Sequence, residues 1–187
     1  MLPWLPGAGN IEDTANLLVG QPLDEVAQVL AGARLVTLLG MGASLSVATL
    51  AENVLGRVGI PCRLTPDSHQ QLLQMSLELD RHVAFAFSYS GETLETVEAL
   101  RHAKLAGATT IAVSAYARSS IAADADFLVC VPVVNPEPYR VGLVDAVLPY
   151  LMILDILAIL IASRRDVTAL RQETERTIRQ RKLRSKR

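Results

Sequence analysis

Short apolar runs alternate with helical spacings along most of the chain. Arg34–Leu39 (RLVTLL) is too short and too apolar for a surface helix and ends in a glycine-rich turn, which predicts a buried strand. From Ser44, the apolar positions Val47, Leu50, Ala51, Val54, Leu55 and Val58 fall at i, i+3, i+4, i+7, i+8 and i+11. That spacing predicts an amphipathic helix, stopped by Gly59 with Pro61 just beyond. Cys62–Leu64 reads as a short second strand, Ser68–Leu79 as a helix and His82–Phe87 as a third strand. Thr93–Ala106 follows as a helix halted by Gly107. Thr109–Ser114 and Phe127–Val131 supply two more strands, separated by a brief helical turn at Ile121–Ala125. Upstream, Pro22–Ala31 has helical spacing at Leu23, Val26, Ala27 and Leu30, with Asp24 and Glu25 near the positive end of the dipole. Ile11–Val19 reads as a short helix and residues 1–10 as loose. Downstream, Gly142–Ala162 is a long apolar helix.

Five short apolar strands alternating with helices define a parallel sheet covered on both faces. The expected architecture is α/β: a three-layer α/β/α sandwich with a five-stranded parallel sheet in order 2-1-3-4-5, of flavodoxin-like type. Residues 1–20 form an extension or linker, 21–163 the domain, and 164–187 a basic tail. Ligands of open sheets bind beyond the carboxyl ends of the strands, where the strand order reverses. In this order the reversal lies between strands one and three. The turns that follow them are GMGAS (Gly40–Ser44) and SYSGET (Ser88–Thr93), which are thereby placed side by side.

Charge and composition narrow the class. The net charge of −1 conceals a basic tail: residues 164–187 hold 10 of the 18 basic and 3 of the 19 acidic residues, leaving a body at −8. An acidic body argues against a nucleic-acid groove within it. The tail reads as a solvated helical end rather than a basic arm, since Glu173 and Glu175 interrupt it and no aromatics are interleaved. Cys62 and Cys130 show no CxxC or Cys/His spacing, so they read as buried free thiols, with no disulfide and no metal site. MLPWLPGAGN has no secretory pattern, and a cytoplasmic protein is expected. The Gly142–Ala162 helix could be mistaken for a membrane span, yet it carries Asp145, Asp155 and Pro149. Each central Asp costs about 3 kcal/mol to insert, so the helix is read as buried, in the core or against a partner subunit.

The two turns carry the chemistry. Gly40 and Gly42 permit close backbone approach, and Ser44 presents a hydroxyl at a helix N-terminus. Ser88, Ser90 and Thr93 present three more hydroxyls beside backbone N–H groups. A phosphate monoester would accept from several of these donors at once. Ordinary helix capping, with Ser90 bonding the N–H of Thr93, is the plainer alternative for either turn alone. A dinucleotide needs a third glycine where the chain has Leu45, and an acid where it has Leu64 and Thr65. There is no GxxxxGK[ST] either, so neither a nicotinamide cofactor nor a nucleoside triphosphate is indicated, and no cofactor is expected.

GMGAS and SYSGETLE resemble the sugar isomerase (SIS) phosphosugar-binding domain, over about Leu23 to Ala162. DSHQQLL (Asp67–Leu73), EPYR (Glu137–Arg140) and the helix LMILDILAILI look like the ligand domain of RpiR-type transcription regulators. The resemblance implies a phosphate held by Ser44, Ser88, Ser90 and Thr93, with Gly40, Gly42 and Gly91 shaping the loops. Tyr89 stands where relatives often have His or Gln. The implied activity is sensing of a sugar phosphate by a homodimer or tetramer, with DNA reached only through a helix-turn-helix domain. The residues before the first strand are too few for three packed helices with a basic recognition face.

The alternative is a stand-alone phosphosugar aldose–ketose isomerase, which needs a base near C1/C2 and an acid for ring opening. Candidates are Glu137, His69, Asp67 and Glu92. Each has a structural reading: Glu92 as a partner of the helix dipole, Asp67 as a cap, His69 within a dimer core, and Glu137 paired with Arg140 or Arg118.

Overall fold

The computed structural model describes residues 9–75, 80–133 and 144–165, and isolated positions beyond them up to 179. In chain order the elements are α1 (Gly9–Leu18), α2 (Leu23–Gly32), β1 (Leu35–Leu39), α3 (Ala43–Arg57), β2 (Cys62–Leu64) and α4 (Ser68–Met75). Then follow β3 (His82–Phe87), α5 (Leu94–Leu105), β4 (Thr109–Ser114), α6 (Ser120–Ala123), β5 (Phe127–Cys130) and α7 (Val144–Arg164).

The five strands form one all-parallel sheet in the order β2-β1-β3-β4-β5, as the alternation of elements predicts. β1 and β3 pair from Leu35 opposite His82 to Leu39 opposite Ala86, so both strands end at the same level. The turn after each begins within one residue of that shared edge, and the fold thereby brings GMGAS beside SYSGET.

Alternate residues of each strand point to opposite faces. One face carries Val36, Leu38, Val83, Phe85, Phe87, Ile111 and Val113, which pack with α2, α3 and α7 through Val26, Ala51, Leu55, Ile153 and Leu157. Phe85 and Phe87 are fully buried, their rings 4.6 Å apart, each contributing about 2–3 kcal/mol of apolar burial. The opposite face is lined with small side chains, Ala84, Ala86 and Ala112, and α5 packs on it through Val97, Leu100 and Ala103.

α7 is buried in this chain along one face only. Tyr150, Ile153, Leu154, Leu157 and Ile161 are buried at helical spacing against the core, whereas Leu151, Asp155 and Ile159 are exposed. By length and composition Val147–Arg164 is apolar enough to cross a membrane, but its buried stripe belongs to the sheet-packing core. The two thiols are free and half-buried rather than buried, and burial, with Glu52 adding, pushes the Cys62 thiol up to about 12.

The start of the chain is tied to the far edge of the sheet. The side-chain amide of Gln21 accepts from the N–H of Cys130 at 2.7 Å and donates to its carbonyl at 3.1 Å, completing the edge of β5. Arg164 at the end of α7 pairs with Asp24 on α2. The predicted helix Ser68–Leu79 is described as far as Met75, and the segment holding Glu137 and Arg140 lies outside the described residues.

Candidate functional site

The first turn is shaped by two glycines. Gly42 has φ +56 and precedes α3, a conformation that side chains rarely adopt. A Cβ on Gly40 would meet the carbonyl oxygen of Ser44 at 2.9 Å, so that position admits hydrogen alone. α3 opens tightly: the Ser44 N–H donates to the Met41 carbonyl (3.1 Å) and the Leu45 N–H to that of Gly42 (3.2 Å). Two of the N–H groups at the start of α3 are therefore already occupied, and the half-exposed Ser44 hydroxyl is a further donor at this turn.

The second turn is organised around Ser88, which is buried. Its N–H continues the β3–β4 ladder to the Val113 carbonyl, and its Oγ accepts from the Gly91 N–H at 3.2 Å. Gly91, at φ +68, has no room for a Cβ against Ser119. Ser90 is exposed, and its Oγ accepts from the Glu92 N–H, not from that of Thr93. Capping of α5 by Ser90, the plainer reading, is thus not observed. Thr93 holds the N-cap position without a side-chain cap bond, 3.5 Å from the Ser88 hydroxyl. With one lone pair of Ser90 engaged and Thr93 placed to accept from Ser88, the O–H bonds of Ser90 and Thr93 remain to donate outwards.

The acid–base candidates are placed elsewhere. Glu92 accepts from both the N–H and the hydroxyl of Ser120, and these bonds hold its carboxyl below the usual range, the hydroxyl bond contributing most. It clasps the start of α6 rather than facing the dipole of α5. Asp67 caps α4 through a 2.8 Å bond from the Gln70 N–H, and His69 lies exposed on the same helix. Glu137 is outside the described residues.

One positioning residue escaped the sequence reading. Gln71 is buried, and its Nε2 donates to the carbonyls of Thr65 (2.8 Å) and Gly40 (3.3 Å). It fastens the first turn to the end of β2. A glutamine in a polar helix carries no pattern that marks such a role.

Beside the turns lies a cavity of about 160 Å³, walled by Ser44, Ser46 and Val47 of α3, Tyr89, and Val147 and Tyr150 of α7. A separate, wider open groove is lined by Ser90 and Glu92 with Tyr116 and Arg118. Among the described residues, no group of His, Cys, Asp and Glu is arranged to hold a metal ion. The arrangement is a hydroxyl-bearing concavity at the switch point of a parallel sheet, with Glu92 and Arg118 on the wider groove.

Such a fold and crevice define the class of α/β domains that bind ligands at strand ends. Residues 29–160 match the SIS domain family, and the chain belongs to it. It is 35% identical over 175 residues to an HTH-type transcriptional regulator of Caldanaerobacter subterraneus, covering 92% of this chain and 62% of that protein. Among solved structures it resembles Vibrio vulnificus NanR complexed with ManNAc-6P (TM-score 0.84, 20% identity, 91% of this chain and 64% of that one). It also resembles the sugar isomerase domain of an RpiR transcription factor from Sphaerobacter thermophilus (TM-score 0.78, 20% identity, 90% and 94%). The chain spans less than two thirds of the length of the curated relatives it matches.

Proposed function

We propose that this domain is the phosphosugar-sensing module of an RpiR-type transcription regulator. The observation that carries the reading is the pairing of β1 with β3, which sets the Ser44 turn beside the Ser88–Thr93 turn at the switch point. The phosphate is held by the hydroxyls of Ser44, Ser90 and Thr93, and by that of Ser88 once its O–H turns from Thr93 to the ligand, with Gly42 and Gly91 giving the turns their backbone shape. Relatives that are DNA-binding regulators, and a structural neighbour bound to a sugar phosphate, support the assignment. The module works as a cytoplasmic homo-oligomer, and ligand binding biases the placement of helix-turn-helix domains carried by the longer protein. The isomerase alternative gains nothing from Glu92, Asp67 or His69, which are clasped, capping and exposed.

Titration calorimetry with sugar phosphates tests the site. Ser88→Ala with Ser90→Ala removes two hydrogen bonds to a charged group, each worth about 1.5–3 kcal/mol, so affinity should fall at least about 100-fold. Unchanged affinity would show the pocket to be misassigned. Turnover of a sugar phosphate, lost in Glu137→Gln, would replace the sensor by the enzyme.

A further inference from the structure

The loop between β4 and α6, residues 115–119, forms a wall opposite the second turn. With Ser90 and Glu92 it lines a groove of about 600 Å³. That is the size of a small-molecule site, roughly 300–1,000 Å³, and more than a phosphate alone would fill. The loop is braced against the turn. The N–H groups of Ala115 and Ile121 donate to the carbonyls of Tyr89 and Gly91, each at 3.0 Å, and Glu92 takes the N–H and hydroxyl of Ser120. Within the loop, the Tyr116 N–H donates to Ser114 Oγ at 3.2 Å and the Ser119 hydroxyl to the Tyr116 carbonyl at 2.6 Å. The Tyr116 ring stands edge-on to Tyr89, with centroids 6.3 Å apart. Arg118 is the contrast. It is exposed, lines the groove, and has no hydrogen bond or ion pair among the described residues. Its backbone is anchored on both sides, while its guanidinium donors are uncommitted.

We propose that Arg118 binds a second acidic group of the ligand, a carboxylate on the sugar, while Ser90 across the groove holds the phosphate. The inference rests on the phosphosugar reading above and narrows its ligand to a phosphorylated sugar acid. A guanidinium presents paired N–H donors that match the two oxygens of a carboxylate. Tyr116, 45% exposed, adds an aromatic surface on the same groove for the C–H face of the sugar chain. The Glu92 carboxylate on this groove is turned to Ser120, so its oxygens do not compete for Arg118. A neutral sugar would leave the guanidinium to water.

Calorimetry on the whole chain tests this with two matched pairs of probes. These are glucose 6-phosphate with 6-phosphogluconate, and arabinose 5-phosphate with 5-phosphoarabinonate. In the wild type at least one acid should bind about fivefold tighter than its neutral counterpart, the upper value for an exposed charge pair. Raising the salt concentration should shrink that preference. Arg118→Gln should erase it while leaving the neutral probes within about twofold, and Arg118→Lys, which keeps the charge but not the fork, should retain part of it. The unliganded melting temperature should not move, since Arg118 makes no contact that holds the fold. Equal wild-type binding of acid and neutral probes overturns the inference and leaves the sensor standing. So does an equal loss across each pair in Arg118→Gln, which would assign Arg118 to the phosphate instead. Failure of every probe to bind the wild type overturns both.

Discussion

His82 is the one buried imidazole of the three. Its Nε2 is hydrogen-bonded to the Thr37 hydroxyl at 2.8 Å, and that same oxygen accepts from Arg63 at 3.2 Å. The imidazole thus sits close to a guanidinium. Burial, and secondarily the Arg63 charge, lower its pKa from the ordinary 6.5. Because the folded value lies below the unfolded one, the unfolded chain binds more protons between them. Stability is therefore full above pH 6.5 and declines as pH falls through the window below it. Urea midpoints should drop between pH 7.5 and 5.5, and His82→Gln should flatten that slope; an identical slope in the variant would free His82 of the role. Residue-level legibility follows the range of each interaction. The position of Ser44, Ser88, Ser90 and Thr93 at the ends of β1 and β3 is legible because a hydroxyl at a strand–helix junction is a local pattern. The bond between Glu92 and Ser120 is not legible, because the two lie 28 positions apart. Gln71 and Tyr150 sit in runs, polar and apolar respectively, that give no sign of what faces them.

Elements were more legible than residues, since each strand is a short apolar run between turn signals. The predicted strands differ from those observed by at most one residue at an end, while the helix over Ile11–Val19 begins two residues earlier, at Gly9. What the periodicity could not show is how α2 and its leading turn engage the sheet. Gln21 supplies β5 with the donor and acceptor that a sixth strand would offer, through a single side chain. Its replacement by Ala leaves the half-buried Cys130 N–H and carbonyl without that partner, a loss of about 1–3 kcal/mol. The expected signs are a lower denaturation midpoint and faster amide exchange at Cys130. Unchanged exchange there would mean that water serves the edge equally well. α7 is ambiguous in sequence for a related reason. A run apolar on every side fits burial in a core and burial against a partner equally, and only the tertiary packing shows one face covered.

For the whole molecule, the exposed side of α7 carries Leu151 at 41% and Ile159 at 63% exposure, with Asp155 between them. An apolar strip with a single carboxylate suits a second copy of the domain better than lipid. Sedimentation at micromolar concentration should give the mass of a dimer or tetramer, and Ile159→Glu should shift it towards the monomer. A wild type that sediments only as a monomer would leave that strip without a partner. The overall architecture was readable because a repeated strand–helix pattern admits few arrangements, and the order 2-1-3-4-5 is one of the commonest. The ligand was not, because selectivity depends on walls contributed by elements distant in sequence.

The pairing of β1 with β3 also bears on how the chain folds. No ladder in this sheet is a hairpin: β1 meets β2 across 26 positions and β3 across 47. Loop-closure entropy grows only with the logarithm of length, so the longer closure costs about 0.5 kcal/mol more than the shorter. That is less than the burial of one side chain such as Phe85 returns. Reversing the strand order, and so opening the crevice, is nearly free for the folding chain. Its consequence is kinetic: with every contact between strands made at long range, the domain should fold in milliseconds or slower, as parallel sheets do, and its crevice cannot precede the sheet that frames it.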